Sequence, residues 1–253
     1  MEFNNRELDR AFEFISHADF DIFCLQEVPE KFLEQLKTLP CHIAFAPDIS
    51  QQFRKTISTA YLVILSRYQI QNTVVRELPS HSFIPSVRGR LFCRFMYGIG
   101  LWSKWLSNRH WIETKIAVPE LGVIIFCNLR LPLTSINGRA EEFETILVNR
   151  DQNYPTIVCG DFNILEAPHI TTLNWLLGGR LHDSLFYRSE RNHFEKRFIA
   201  YKLINALRGK ITHNLSRSQL DHILVSNSFS IKNAEVIPNN FGSDHHPIRV
   251  EIS

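Results

Sequence analysis

The 253 residues carry a net charge of +2 and an apolar fraction of 44%. Such a chain can bury a sizeable core, and its near-neutral balance excludes a nucleic-acid partner recognised by bulk charge, so any basic site is local. No apolar run approaches the roughly 18 residues that span a bilayer. The five cysteines are an odd number with no CxxC spacing, which reads as reduced thiols, not a disulfide framework or a zinc site. Met1 is followed by no basic and then apolar stretch, so a cytoplasmic location is expected, with a single domain over 1–253.

In chain order, Asn4 and Glu7 have capping-box spacing ahead of a helical stripe of Leu8, Ala11, Phe12 and Ile15. Residues 20–25 read as a short buried strand ending on Gln26-Glu27-Val28, and Pro29 stops it before a helix over 31–39. Strands are predicted over 42–45, 59–65 and 71–78. Residues 80–112 hold no acid. There Arg88, Arg90, Arg94, Lys104 and Arg109 interleave with aromatics such as Phe83, Phe92, Phe95, Trp102 and Trp111, and Gly98 and Gly100 break any long helix. The segment reads as an irregular excursion whose aromatics form a small satellite core. The alternative is an arm that grips an anionic, partly apolar substrate or a membrane surface.

A hairpin follows over 111–118 and 123–129, then a helix over 138–150, a buried strand over 155–159 and a helix over 168–178. A second basic excursion, 188–217, reads as a solvated helix with one packed face. The last strands are 220–226, 231–237 and the alternating run of Ile248, Val250 and Ile252.

An acid at the end of a buried strand is costly unless it is paired, hydrated or on a metal. Here Glu27, Asp161 with Asn163, Asp221, and Asp244 with His245 all stand at strand ends. Brought to one rim, such groups suit metal-assisted phosphoester cleavage. Carboxylates supply hard oxygens to Mg²⁺ and handle the attacking water, while an amide and an imidazole bind developing charge.

The segments Leu25-Gln26-Glu27, Gly160-Asp161-Phe162-Asn163, Leu220-Asp221-His222-Ile223 and Ser243-Asp244-His245-His246-Pro247-Ile248 together resemble the endonuclease/exonuclease/phosphatase superfamily, the DNase-I-like fold. Leu65-Ser66-Arg67-Tyr68 resembles another of its segments. The resemblance implies an α/β fold, a four-layer αββα sandwich of two mixed β-sheets. It implies a phosphoesterase (phosphodiesterase, nuclease or phosphatase) acting by in-line attack of water, with Mg²⁺ as cofactor and Mn²⁺ as a substitute. Glu27 and Asp244 would be the metal residues. Asp161 would activate the water, Asn163 would contact the phosphate, and His245 would stabilise its charge with Asp221 orienting the imidazole. The substrate would be a nucleic acid, a phosphoinositide or a phospholipid headgroup, with peripheral membrane contact through 80–112. His222 and His246 are expected to be packed or exposed without function.

Two departures qualify this picture. Only 26 residues precede Glu27 and the first dozen read as helix, so the family's usual first strand, ending in Asn, is expected to be lacking. Where many members have His, the segment Asn128-Leu129-Arg130-Leu131 has Arg130, which can clamp a phosphate but cannot readily give up a proton. Asn128 and Arg130 are therefore the substrate-binding candidates. The competing expectation is an impaired, non-catalytic member that acts as a binding module for nucleic acid or anionic lipid.

Overall fold

The computed structural model describes residues 7–78, 86–100, 104–107, 109–133, 136–177, 179, 181–185 and 189–253. Asn4 and Asn5 lie outside them, as do Phe83 and Trp102. The chain runs α1 (Leu8–His17), β1 (Ile22–Pro29), α2 (Glu30–Leu36), β2 (His42–Phe53), β3 (Thr56–Ser66), β4 (Ile70–Glu77) and α3 (Val87–Gly98). It continues through β5 (Lys104–Trp105), β6 (His110–Val118), β7 (Gly122–Arg130), α4 (Ile136–Asn149), β8 (Thr156–Asp161), α5 (Pro168–Leu176) and α6 (Leu181–Leu185). Last come α7 (Ser189–Ala200), β9 (Leu203–Asn205), β10 (Asp221–Ser226), β11 (Ile231–Val236) and β12 (Ile248–Ile252).

Two main sheets result. One is four-stranded, in the order β1-β3-β2-β5, and the other six-stranded, in the order β4-β6-β7-β8-β10-β9; β11 and β12 form a separate pair. The six-stranded sheet is mixed, because α4 carries the chain across from β7 to a parallel β8. Every described pairing in the four-stranded sheet is antiparallel, and β1 forms its edge.

The period-two alternation of strand side chains makes four layers out of these sheets. On β3, Leu62 and Ile64 point to a central core shared with Ile124 and Phe126 of β7, while Val63 and Leu65 point the other way to Phe32, Leu33 and Leu36 of α2 and Ile15 of α1. On β7, Ile125 and Cys127 face Phe143 and Ile146 of α4 and Phe194 and Phe198 of α7. Strands covered on both faces need continuous apolar runs, and the segments over β3, β7 and β8 are such runs. All five cysteines are free thiols.

Three expectations change. The strand predicted over 42–45 runs on to Phe53, because a bulge between Pro47 and Ile49 absorbs a proline that cannot donate to the ladder. Residues 80–112 contain a regular helix, α3, whose Ser86 cap accepts from the Gly89 N–H and which ends at Gly98. Of its described aromatics, Phe95 is exposed and Trp111 belongs to the main core, and Arg109 is buried against Glu142. In the second basic segment, Arg191 is an interior residue, paired with Glu166 and donating to the Gln219 carbonyl.

Candidate active site

The register of the six-stranded sheet puts three charged residues in one row. Arg130 at the end of β7 stands opposite Asp161 at the end of β8, and Asp161 stands opposite Asp221 at the start of β10. Directly opposed residues share a face of the sheet, so these side chains are neighbours. Gly160 makes the close approach possible. Its φ is +150°, and a Cβ there would lie 1.9 Å from the Leu129 carbonyl oxygen.

One end of the row is capped by the loop before β12. His245 donates from Nδ1 to Asp221 Oδ2 at 2.8 Å, which leaves Nε2 3.9 Å from Asp244 Oδ1. Burial alone would lower the His245 pKa, but Asp221, Asp161 and Asp244 outweigh it and raise it to about 10. The imidazole is therefore a cation at neutral pH. Burial pushes the Asp161 carboxyl up to about 6, with Asp221 adding to the shift and the His245 charge opposing it. Asp244 is held down to about 2: its partial burial opposes this, but His213 and His245 win. His213 comes from the segment between β9 and β10, and its Nε2 lies 3.6 Å from Asp244 Oδ2.

The other end is built by two bulges on either side of β3. Between Leu25 and Val28 the β1 ladder slips, and Glu27 takes the left-handed conformation at φ 53°. Between Pro47 and Ile49 the β2 ladder slips at Asp48. A bulge re-aims a side chain that regular pleating would send elsewhere. Both acids end on Arg130: its guanidinium contacts Glu27 Oε1, and its Nη1 donates to Asp48 Oδ2 at 3.2 Å. Asp48 is fully buried, and among the described residues its Oδ1 and the Arg130 Nε have no hydrogen-bond partner. Burial raises the Asp48 pKa against the pull of Arg130. Burial also disfavours the Arg130 charge, but Glu27, Asp48 and Asp161 more than offset this.

The expected site residues thus fall into place unevenly. Asp161, Asp221, His245 and Asp244 converge. Asn163 is beside them at φ 52°, but its Nδ2 donates to Asp161 Oδ2 at 2.8 Å and to the Leu131 carbonyl at 2.9 Å, so it orients Asp161. Asn128 is not at the substrate surface. It is fully buried between the sheets, donates to the carbonyls of Leu25 and Val63, and accepts from Gln26 Nε2 at 2.6 Å. His222 is a buried neutral imidazole against Arg191, its pKa pushed well down by burial. His246 is tied to the Ile237 carbonyl and Asn214. Sequence reasoning missed Asp48 and His213. Asp48 follows a proline and resembles a turn residue, and His213 sits inside a basic run with no motif of its own.

A divalent cation suits this donor set. Asp161, Asp221 and His245 offer ligand atoms all within 4.8 Å of one another, as do His213, Asp244 and His245. Asp161 and Asp221 stand directly opposed, and a cation would relieve their like charge as well as the burial that raises the Asp161 pKa. Glu27, expected as the principal ligand, belongs to neither group, because Arg130 holds it.

The family model of the endonuclease/exonuclease/phosphatase family matches residues 2–245. No curated protein sequence matches the chain. Among solved structures, an endonuclease/exonuclease/phosphatase family protein from Leptotrichia buccalis superposes with TM-score 0.67 at 15% identity, over 100% of this chain and 95% of that one. The mannosyl-6-phosphatase Bt3783 of Bacteroides thetaiotaomicron superposes with TM-score 0.62 at 18% identity, over 98% and 91%. An endonuclease/exonuclease/phosphatase from Beutenbergia cavernae gives TM-score 0.64 at 16% identity, and this chain spans 65% of its length. At these identities the likeness is one of fold. With two main sheets, helices outside both and a family model over most of its length, the chain belongs to the endonuclease/exonuclease/phosphatase family, whose members are in general phosphoric ester hydrolases that depend on a divalent metal.

Proposed function

We propose that this protein hydrolyses a phosphoric ester by in-line attack of water on phosphorus, with Mg²⁺ as its cofactor and Mn²⁺ as a substitute. The observation that carries this reading is the row of Arg130, Asp161 and Asp221 capped by His245. Asp161, raised to about 6 and oriented by Asn163, accepts a proton from the attacking water. His245 stays protonated and offers Nε2–H to a phosphoryl oxygen as charge develops there, while Asp221 holds the ring from behind. Arg130 adds positive charge at the next position of the row, its fork of donors turned to Glu27 and Asp48. The cation would be held by Asp161 and Asp221 with Asp244 beside them, and would supply Lewis-acid charge to the phosphoryl group, while the protonated His245 stays outside its ligand set. Glu27 joins that set only where Arg130 releases it.

The substrates considered are phosphate esters of a nucleic acid, an inositol or a lipid headgroup. The test is hydrolysis of bis-p-nitrophenyl phosphate, supercoiled plasmid and a phosphoinositide panel, with and without Mg²⁺. Activity should vanish with EDTA and fall about a hundredfold or more in Asp161→Asn and His245→Ala. Turnover that survives both substitutions overturns the assignment.

One observation favours a second reading. The Arg130–Glu27 pair already compensates a carboxylate expected to hold metal, as in a scaffold kept for binding nucleic acid or anionic lipid without chemistry. No Mg²⁺-dependent hydrolysis of any substrate in the panel, together with retained binding of one of them, would select it.

A further inference from the structure

Helix α3 is amphipathic the wrong way round. Its only buried residue is Gly89, and it is fastened to α5 by a polar group: Arg88 donates from Nε to the Trp175 carbonyl and from Nη2 to the Gly179 carbonyl, both at 2.7 Å, with its guanidinium 4.3 Å from the centre of the Trp175 ring. The side turned away from Gly89 carries large apolar residues at four-residue spacing: Val87 is 63% exposed, Leu91 62%, Phe95 62% and Ile99, just past the helix, 50%. Residues three and four apart lie on one face of a helix, so these four form a single stripe. Isolated exposed apolar residues are ordinary; an unbroken stripe on a helix held down by an arginine marks an interaction surface.

The charge beside the stripe says what it meets. Arg90 and Arg94 are exposed, each one residue before a stripe residue, and residues 79–112 contain no Asp or Glu. The tip of the β2–β3 hairpin adjoins the end of the helix, since the Arg54 Nε lies 3.3 Å from where a Cβ on Gly100 would stand. That tip repeats the pattern, with Phe53 and Ile57 exposed beside Arg54 and Lys55. Apolar side chains on the outside with a purely basic margin match the headgroup boundary of an anionic bilayer, where the stripe enters the acyl region and the guanidinium groups meet lipid phosphates and carboxylates. No described helix is long and apolar enough to cross a membrane, so the contact is with a surface.

We propose that α3 and the β2–β3 tip dock this protein on an anionic lipid surface, with Val87, Leu91, Phe95 and Ile99 as the inserted residues. The inference is independent of the hydrolase reading.

The test is co-sedimentation of the full chain with vesicles of phosphatidylcholine, with and without phosphatidylserine. Binding to the phosphatidylserine vesicles should be at least about tenfold stronger and should weaken with added salt. Leu91→Glu with Phe95→Glu should lower it about a hundredfold, and Arg90→Ala with Arg94→Ala by about tenfold or more. All four side chains are exposed or at the helix surface, so these variants fold, which circular dichroism checks directly. Hydrolysis of bis-p-nitrophenyl phosphate should be the same in all of them, which separates the docking surface from the reaction. Three results would overturn the proposal: no binding of the native chain to either vesicle, equal binding by the Leu91/Phe95 variant, or a loss in that variant of single-stranded oligonucleotide binding or self-association with vesicle binding unchanged.

Discussion

Arg130 lays its guanidinium on the carboxylate of Glu27, and the two meet only because a bulge in β1 turns Glu27 out of its regular direction. A second bulge, in β2, brings Asp48 to the same arginine. The pair is what most distinguishes this site from the arrangement its motifs imply. It places a fixed positive charge where a cation was expected, and it makes that end of the row part of the fold's internal electrostatics.

Arg130→Ala should therefore cost stability as well as any activity. It strands Asp48, which is fully buried with one oxygen already unpartnered, and leaving a buried charge without its partner costs about 3–5 kcal/mol. Urea unfolding should show that loss, and the double variant Arg130→Ala/Asp48→Asn should recover more than half of it. Equal losses in the single and double variants would mean that Asp48 does not depend on Arg130.

His245 should titrate far above an ordinary histidine in the metal-free protein. Its pKa is raised from 6.5 to about 10, so the folded state holds the proton more tightly than the unfolded one. The resulting stability is fully present below about pH 6.5 and is lost as pH rises toward about 10. The imidazole resonances in an NMR pH titration report the folded-state value directly. Asp221→Asn removes the largest of the opposing charges and should bring it down toward the usual range; an unchanged titration would remove Asp221 from its orienting role.

Gly160→Ala should fail to fold or lose on the order of 3 kcal/mol or more, because a methyl group has no room against the Leu129 carbonyl oxygen and the backbone stands at φ +150°. Thermal denaturation of whatever soluble protein can be recovered checks this. The same variant with native stability would show that β7 and β8 are spaced more widely.

Asn128→Ala should separate scaffold from site. It removes the donors to Leu25 and Val63 and the acceptor for Gln26 between the sheets, and buried groups left unpaired cost about 1–3 kcal/mol each. Stability should fall by about 2–4 kcal/mol, while the KM of the folded fraction stays as it was. A raised KM at native stability would restore Asn128 to the substrate surface.

Much was legible in the amino-acid order because local physics decides it. Apolar runs that must be covered on both faces announced β3, β7 and β8, and the 3.6-residue stripe announced α1. Acids placed where buried strands end announced Asp161, Asp221 and the Asp244–His245 loop, since such groups are too costly to keep there without partners. The tertiary structure decided what no local signal carries. Asp48 joins the site through a bulge against β3, a long-range register choice hidden in a Pro-Asp pair that reads as a turn. His213 reaches Asp244 only because its loop folds back against the end of the chain. Asn128 and Arg130, two residues apart on one strand, part company by burial: one is sealed between the sheets and the other stands at the rim. The apolar stripe of α3 has the same periodicity as a core-facing helix. Only the seating of α3 with its Gly89 side inward determines that the stripe faces outward, because periodicity gives a helix an apolar side and packing alone chooses where that side points.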